Sequence, residues 1–546
     1  MSFELANFTD EQLDPDYLAY LVDQLAAEQA GRYERLWDYF RNPLSPALGV
    51  AAGAMNAHSR PYFQAQEAGL PPRITGVAHG LSGGELLTDL RRKEVVIEND
   101  IAWRIETAMD FLFGRKPTIR SLAEPPGLAE AIEQVLEALL EANGGIGFLQ
   151  ELALFGAVYG FVDVALRPPA ETPEAQPQAP WRLSGSPVTA AATASATGRP
   201  GTPEGDGNSP SSPSFLPQDG QQDPRAIKQA VALAKKLQLE AIEAPRVLPI
   251  LEENDYRRLR YWIQKYDVRP ARMSEANRPW YAMGFGRRQA PPEVVEVIEI
   301  ISPSWWQRYE NRRLVAEGPN PLGVLPVVHI QNIALPGSYE GASEVEPLIP
   351  LQDELNTRLS DRANRVTFQS FKMYLGKGID DFLERPVGPG QMWATHNMDA
   401  RIEEFGSDPG SPSEDAHIEQ IRQAMDKVSG ITSLAAGLIR GHVGNLTSAT
   451  ALKVLLSGLL ARTAKKRLTY GAGLQRVFEL VLGWLDLAGA LRTDPGDRRV
   501  EIHWPNPLPA DEGEQLRNAQ IKAALGVPAE RILAELGYDR AAAESD

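Results

Sequence analysis

The chain contains no cysteine, which removes a disulfide framework, a thiolate metal site and a thiol nucleophile at once and is compatible with a reducing compartment. No uninterrupted apolar run reaches the roughly 18 residues that a membrane span requires, and the opening stretch MSFELANFTDEQLDPDY has no basic segment followed by an apolar one. The expectation is a soluble, unprocessed chain with no membrane partner. Histidine is sparse: His58, His79, His329, His396, His417, His442 and His503 are scattered, and none has another three or four residues away. A zinc site would need purely tertiary convergence, so surface or internally satisfied histidines are the favoured reading, with no metal and no cofactor expected. Positive charge is also short, with 55 Lys and Arg against 72 Asp and Glu and a formal net charge of −17. Tight non-specific DNA binding sets many cations against phosphates, so any nucleic-acid contact should be local or loose.

Two nucleotide signatures fail on inspection. The run Gly284-Phe285-Gly286-Arg287-Arg288-Gln289 lacks the third glycine of a dinucleotide fingerprint, and around Gly376-Lys377 a phosphate loop would need Gly at Phe371 and Ser or Thr at Gly378. Clustered carboxylates for metal-assisted hydrolysis are missing from the expected strand ends. The chain reads as something other than an enzyme, with no catalytic residue to nominate.

What is present is a folded protein of 546 residues, 43% hydrophobic, long enough for about two to four domains. Asp14-Pro15 is a helix start, Tyr17, Leu18, Leu21, Val22 and Leu25 follow at helical spacing, and Asn42-Pro43 is a stop. Ile101, Ile105, Met109 and Leu112 form the buried face of a second helix ending at Gly114. Leu128 to Leu140 and Ile146 to Tyr159 read as two more helices, and Phe161 to Leu166 as a strand. From about 167 to 223 the composition turns to Pro, Ala, Ser, Thr, Gly and Gln with few large apolar residues, the signature of a disordered insertion. Strands are expected in VLPILEEND, RRLRYWIQKYDV, EVVEVIEIIS and VLPVVHIQN, forming a small, mostly antiparallel sheet. Trp305-Trp306 reads as a core anchor rather than a stacking platform.

The region from Gly341 to Gly489 is the most distinctive. A helix over 342–371, about 45 Å long at 1.5 Å per residue, carries Leu348, Leu351, Leu355 and Leu359 on one stripe and Arg358, Arg362 and Arg365 on another. The arginines are either a DNA-facing stripe or a solvated face interleaved with Asp361, and the residues alone favour the second. Short strands or turns follow in MYLGKG, QMWATH and ARIEEF. Asp380-Asp381 with Glu384 would suit a cation, although a solubilising acidic turn is favoured. A helix over about Glu414 to Val428, a break at GLIRGHVGN, and a long helix capped by Thr447 and reaching towards Leu487 complete the region. Gly458, Gly471 and Gly473 are expected to bend that helix, and Lys465-Lys466-Arg467 reads as an exposed turn of it. VEIHWPNPLP is a last strand, and Glu512 to Leu536 gives two short helices. The fold class is α+β, mainly helical.

This order of elements resembles the portal proteins of tailed double-stranded DNA phages, of the long-tailed-phage type, over nearly the whole chain except the insertion. The resemblance is carried by RYERLWDYFRN, by IENDIAWRIETAMDFLFGRKPTI, by ALFGAVYGFVDVAL, by NPLGVLPVVHIQN leading into GASEVEPLIPLQDELNTRLSDRANR, and by GLIRGHVGNLTSATALKVLL. It implies a wing over 1–166 and 226–341, separated by the insertion at 167–225, and stem helices over 342–371 and 411–433. The clip would be 372–410, the tunnel loop 434–447, a long wing helix and strand 448–508, and a short crown 509–546. It implies a ring homo-oligomer, usually a dodecamer, at one capsid vertex of the virion, assembled in the host cytoplasm. Its implied partners are the terminase large subunit, the major capsid and scaffolding proteins, a head-to-tail connector or adaptor, and double-stranded DNA passing through non-specifically. Mapped residue by residue, the tunnel loop offers Arg440, His442 and Asn445 to the DNA channel. The stem offers Arg358, Arg362 and Arg365 to the channel and Leu348, Leu351, Leu355 and Leu359 to subunit packing. The clip offers Lys377, Asp380, Asp381, Glu384 and Arg385 for docking. A helical scaffold or adaptor without a channel is the competing reading, and a nucleic-acid-processing enzyme a more distant one.

Overall fold

The computed structural model of the chain describes residues 3, 5, 8, 13–46, 62–75, 77–78, 85–86, 94–169, 224–268, 294–370, 373–377, 398–405, 412–432, 435, 453–508, 512–529 and 532–533. Most of the insertion, the stretch around Gly284 and much of the expected clip, tunnel loop and crown lie outside the described residues. Among those described, helix exceeds strand, in agreement with an α+β, mainly helical class. The helices are α1 (Pro15–Tyr20), which a π turn (Leu21–Leu25) joins to α2 (Ala26–Arg41), then α3 (Pro72–Thr75), α4 (Asp100–Phe113), α5 (Pro126–Ala142), α6 (Ile146–Tyr159), α7 (Pro224–Ala234), α8 (Ile349–Ser370), α9 (Pro412–Ser429), α10 (Ser457–Leu487) and α11 (Glu512–Ala524). The strands are β1 (Leu44–Pro46), β2 (Tyr62–Gln64), β3 (Val77–Ala78), β4 (Glu85–Leu86), β5 (Thr118–Ser121), β6 (Phe161–Arg167), β7 (Gln238–Glu243), β8 (Val247–Glu252), β9 (Asp255–Val268), β10 (Val295–Ile301), β11 (Trp305–Glu310), β12 (Arg313–Pro319), β13 (Val327–Gln331), β14 (Met373–Lys377), β15 (Arg401–Phe405) and β16 (Val500–His503).

Local chemistry accounts for the helix ends. Asp14 accepts the Asp16 N–H at 3.0 Å and Pro15 opens the helix, and Asn42 closes α2 in the left-handed region at φ 44°. The hairpin β11–β12, by contrast, was hidden from the sequence. Its two-residue turn, Asn311-Arg312, has φ of 47° and 65°, the backbone of a type I′ turn, yet it carries no glycine to announce it.

Of the described residues, those within 1–108, 151–185 and 239–473 form one compact unit. Its five-stranded sheet has the order β12-β11-β10-β9-β8 with every neighbour antiparallel. Period-two alternation gives the sheet two faces. Tyr261, Ile263, Ile298 and Ile300 pack under Leu18, Leu21 and Val22 of the N-terminal helix, with Phe3 edge-on to Tyr309. On the opposite parity, Trp262 donates to Asp163 of β6 at 2.8 Å, and Glu299 is paired with Arg167 at 3.0 Å. Trp306 is buried and Trp305 packs against the cluster of Leu18, Ile298 and Tyr309, so the pair is a core anchor. Strands β13, β6 and β7 form a second sheet, with β13 antiparallel to β6. Its His329 is a satisfied histidine, 2.8 Å from both Asp163 and the Tyr339 carbonyl. Strands β14 and β15 form a separate antiparallel pair.

The residues within 109–150, 186–238 and 474–546 form the other unit. There α5 packs on α7, β5 pairs antiparallel with β16, and the Phe113 and Trp504 rings lie 5.4 Å apart. No helix among the described residues is long and apolar enough to cross a membrane.

Candidate functional site

The expected helix over 342–371 is shorter than its sequence pattern. Residues 346–348 form a 3₁₀ turn and the α-helix starts at Ile349, giving α8 about 33 Å instead of 45 Å. The preceding residues are committed elsewhere. Ala342 N–H donates to Ile333 O, Glu344 N–H to Ala157 O and Ser343 Oγ to Val158 O, so their backbone cannot join the helix ladder. Gly160, at φ 101°, and Gly341 meet backbone to backbone, and a Cβ on either would fall 2.4 Å from the other's carbonyl oxygen. Two of the motifs that carried the family resemblance therefore converge here for a steric reason.

Helices α8 and α9 lie antiparallel, with Glu354 facing His417, Arg362 facing Asp415 and Arg365 facing Glu414. The arginine stripe is thus largely engaged: Arg362 is 2.9 Å from Asp415, Arg365 pairs with Glu414, and Arg358 lies 2.7 Å from Glu354 and 3.6 Å from Asp361 on its own helix. Acidic residues in the first turn of α9 also suit its dipole. Of the leucine stripe, Leu348 and Leu355 are already buried by their own chain, which leaves the half-buried Leu351 and Leu359 with surface to offer. Lys377 ends β14, exposed. Asp380, Asp381, Glu384, Arg385, Arg440, His442 and Asn445 lie outside the described residues.

Beside Leu355, α8 buries a row of polar residues that the leucine pattern concealed. Gln352, Asn356, Ser360 and Asn364 recur every four residues and bind the backbone of alternate residues in segment 94–100, running antiparallel. Asp100 N–H donates to Gln352 Oε1 (3.1 Å), Glu98 N–H to Asn356 Oδ1 (3.1 Å), Val96 N–H to Ser360 Oγ (3.0 Å) and Glu94 N–H to Asn364 Oδ1 (2.9 Å). Four helical residues rise about 6 Å and two extended residues about 6.6 Å, so the two repeats keep step. Gln66 joins this row to α2, accepting from Asn356 Nδ2 at 3.0 Å and donating to the Tyr39 carbonyl at 2.7 Å.

At the base of the helix pair the charges are buried. Glu344 accepts from Lys466 at 2.6 Å and from Arg462 at 2.8 Å, with side chains of Glu344 and Lys466 only 5% and 3% exposed. The expectation that Lys466 sits on an exposed turn is therefore corrected: the inner face of α10 turns it onto a carboxylate. Burial works to raise the Glu344 carboxyl, and the two cations outweigh it, so its pKa lies below the usual carboxylate value. Burial lowers Lys466, opposed by Glu344. The short contacts are those of an ionised pair. Arg104, on α4, is 1% exposed, lies 2.7 Å from Asp426, and donates to Ser429 Oγ at 3.0 Å and the Ile431 carbonyl at 2.7 Å. Arg462 donates to the Val428 and Ser429 carbonyls at 3.1 and 3.0 Å. Gly430, at φ 70°, ends α9 against Gly458 of α10, where a Cβ on Gly458 would lie 3.3 Å from the Gly430 oxygen. The chain thus leaves α9 and re-enters α10 at nearly the same place, with residues 431–457 between. None of Arg104, Glu344, Arg462 or the four polar residues of α8 was singled out by sequence. The available signal was the i, i+4 run of uncharged polar residues on an otherwise charged helix.

Among the described residues no group of three or more His, Cys, Asp or Glu is placed to hold a metal ion. Residues 295–538 match the family model described as phage portal protein, SPP1 Gp6-like. That stretch takes in the antiparallel helix pair, the buried charges on Glu344 and the long helix α10. Over it the chain is similar to the portal proteins of tailed phages. Two of the five motifs behind the resemblance lie inside the match, and the three N-terminal ones precede it. No curated protein matches the chain.

Proposed function

We propose that this chain is the subunit of a closed ring at one capsid vertex, a homododecamer through which double-stranded DNA is packaged and later ejected. Residues 1–166 and 226–341 form its wing, 342–371 and 411–433 its stem, 372–410 the clip, 434–447 the tunnel loop, 448–508 the returning helix and strand, and 509–546 a short crown. The observation that carries this reading is the return of the chain at Gly430 and Gly458 between a helix pair and a long helix, inside the stretch that matches the portal family. A loop whose two ends are pinned together on a rigid base is suited to project as a unit.

The net charge of −17 suits a conduit, because a strongly basic lining would retain the phosphates it must release. Engagement of Arg362 and Arg365 with α9 carboxylates acts in the same direction. The terminase large subunit and the head-to-tail connector dock at the clip, for which Lys377, Asp380, Asp381, Glu384 and Arg385 are the candidates, and Arg440, His442 and Asn445 approach the DNA. The major capsid and scaffolding proteins are the chain's further partners. Negative-stain imaging of purified protein tests the reading: rings with a central hole are expected, and uniformly small particles or solid assemblies would overturn it in favour of a scaffold without a channel.

A further inference from the structure

The last four C=O groups of an α-helix have no partner inside the helix. At the end of α9 two of these, the carbonyls of Val428 and Ser429, and the carbonyl of Ile431 just beyond are met from two sides by guanidinium groups that arrive from distant parts of the chain. Arg104 reaches the Ile431 carbonyl and Ser429 Oγ, and Arg462 reaches the carbonyls of Val428 and Ser429. Each arginine is itself fixed by a carboxylate, Asp426 for Arg104 and Glu344 for Arg462, and Arg104 also lies over the Trp103 ring at 4.5 Å. Ser429 is shared, its side chain accepting from one arginine and its carbonyl from the other.

We infer that Arg104 and Arg462 are positioning residues for the channel loop: together they fix the point and direction at which the chain leaves α9. The inference rests on the portal reading for the loop's role, but the clamp itself is made of described residues. A planar fork with several fixed donors can satisfy two acceptors and a carboxylate together. A lysine at either site keeps the charge and loses that simultaneous reach. Arg104 stands 325 residues before Ser429 in sequence, so α4 and α10 share control of one helix end. Gly430 and Gly458, which approach each other at the turn, carry no side chain to do the same work.

The absence of cysteine makes the test direct. A nitroxide on Ala435→Cys reports the first turn beyond the clamp, and one on Asp494→Cys serves as a control. Arg462→Lys and Arg104→Lys should each shorten the rotational correlation time of the Ala435 label by twofold or more while the control label and the melting midpoint stay at their wild-type values. Arg104→Lys combined with Arg462→Lys should exceed either alone. An unchanged Ala435 spectrum in the folded variants would overturn the inference, as would equal loosening at both labels, which would mark the arginines as general stabilisers. Should Arg104→Lys fail to fold, Arg462→Lys, at a side chain 23% exposed, carries the test. The line shape reads the clamp whether or not rings form, so failure of the portal reading, seen as missing rings in wild type, is separable from failure of the clamp.

Discussion

Asn364 and Glu94 exchange a reciprocal pair of hydrogen bonds: the Asn364 carbonyl oxygen accepts the Glu94 N–H at 2.9 Å, and its amide donates to the Glu94 carbonyl at 3.0 Å. A side-chain amide thereby does what a neighbouring strand would do, and Asn356, Ser360 and Gln352 continue the arrangement down α8. Beside the buried Leu355 of the expected hydrophobic stripe, α8 thus carries a polar row in register with backbone.

Asn364→Ala removes both partners from Glu94 and should cost about 1–3 kcal/mol locally. Hydrogen exchange at the Glu94 amide is expected to accelerate roughly 5- to 150-fold, with Val96 less affected because Ser360 still holds it. Unchanged protection at Glu94 would show that the segment is held by its apolar residues alone.

Breaking the buried pair at the base of the α8–α9 pair should be expensive. Glu344→Gln leaves the buried Lys466 ammonium uncompensated and should destabilise by about 3–5 kcal/mol, Lys466→Met should cost less because Arg462 still pairs with Glu344 at 2.8 Å, and the double change should recover part of the Glu344→Gln loss. Because the folded-state pKa of Glu344 lies below its ordinary value, its contribution is complete above the unfolded value and is lost as pH falls through the lower, folded one. Denaturant melts from neutral pH down through the carboxylate range should therefore lose stability more steeply in wild type than in the double variant.

Gly156 is a fit for Tyr470. A Cβ there would fall 2.0 Å from the Tyr470 hydroxyl, so Gly156→Ala should destabilise by about 1–3 kcal/mol through overpacking. Adding Tyr470→Phe removes the clashing oxygen and should restore part of the loss in thermal melts. No recovery would mean that the helix α6 backbone, and not the hydroxyl, sets the limit.

The leucine stripe now separates into two tests. Leu355 is fully buried within the chain, so Leu355→Asp should unfold the protomer. Leu359 keeps some surface, so Leu359→Asp should spare the fold and weaken the ring, giving smaller species in sedimentation. Full-sized rings from Leu359→Asp would remove this face of α8 from the subunit contact.

If 372–410 is the proposed clip, Asp380→Lys with Asp381→Lys should leave rings intact and weaken capture of the terminase large subunit in a pull-down. Unchanged capture would remove both residues from the docking surface.

The sequence by itself determined most element positions, because those signals are local. Asp14-Pro15 and Asn42-Pro43 bound the first helical run, apolar spacing of Ile101, Ile105 and Leu112 marks the buried face of α4, and alternation marks β9 and β10. It also carried the order of motifs that resembles the portal family. What it could not determine were relations between residues far apart in the chain. The turn at Asn311-Arg312 adopts positive φ without glycine because the paired strands impose it. The α-helix α8 starts at Ile349 because Gly341 to Glu344 are bonded to residues near 157–160 and 332–333. Lys466 is buried because Glu344, more than a hundred residues earlier, waits opposite it, and Arg104 has its role only once folding brings the end of α9 to α4. Periodicity reports which face of an element is covered; which partner covers it, and whether that partner is apolar or charged, is fixed only by the tertiary structure.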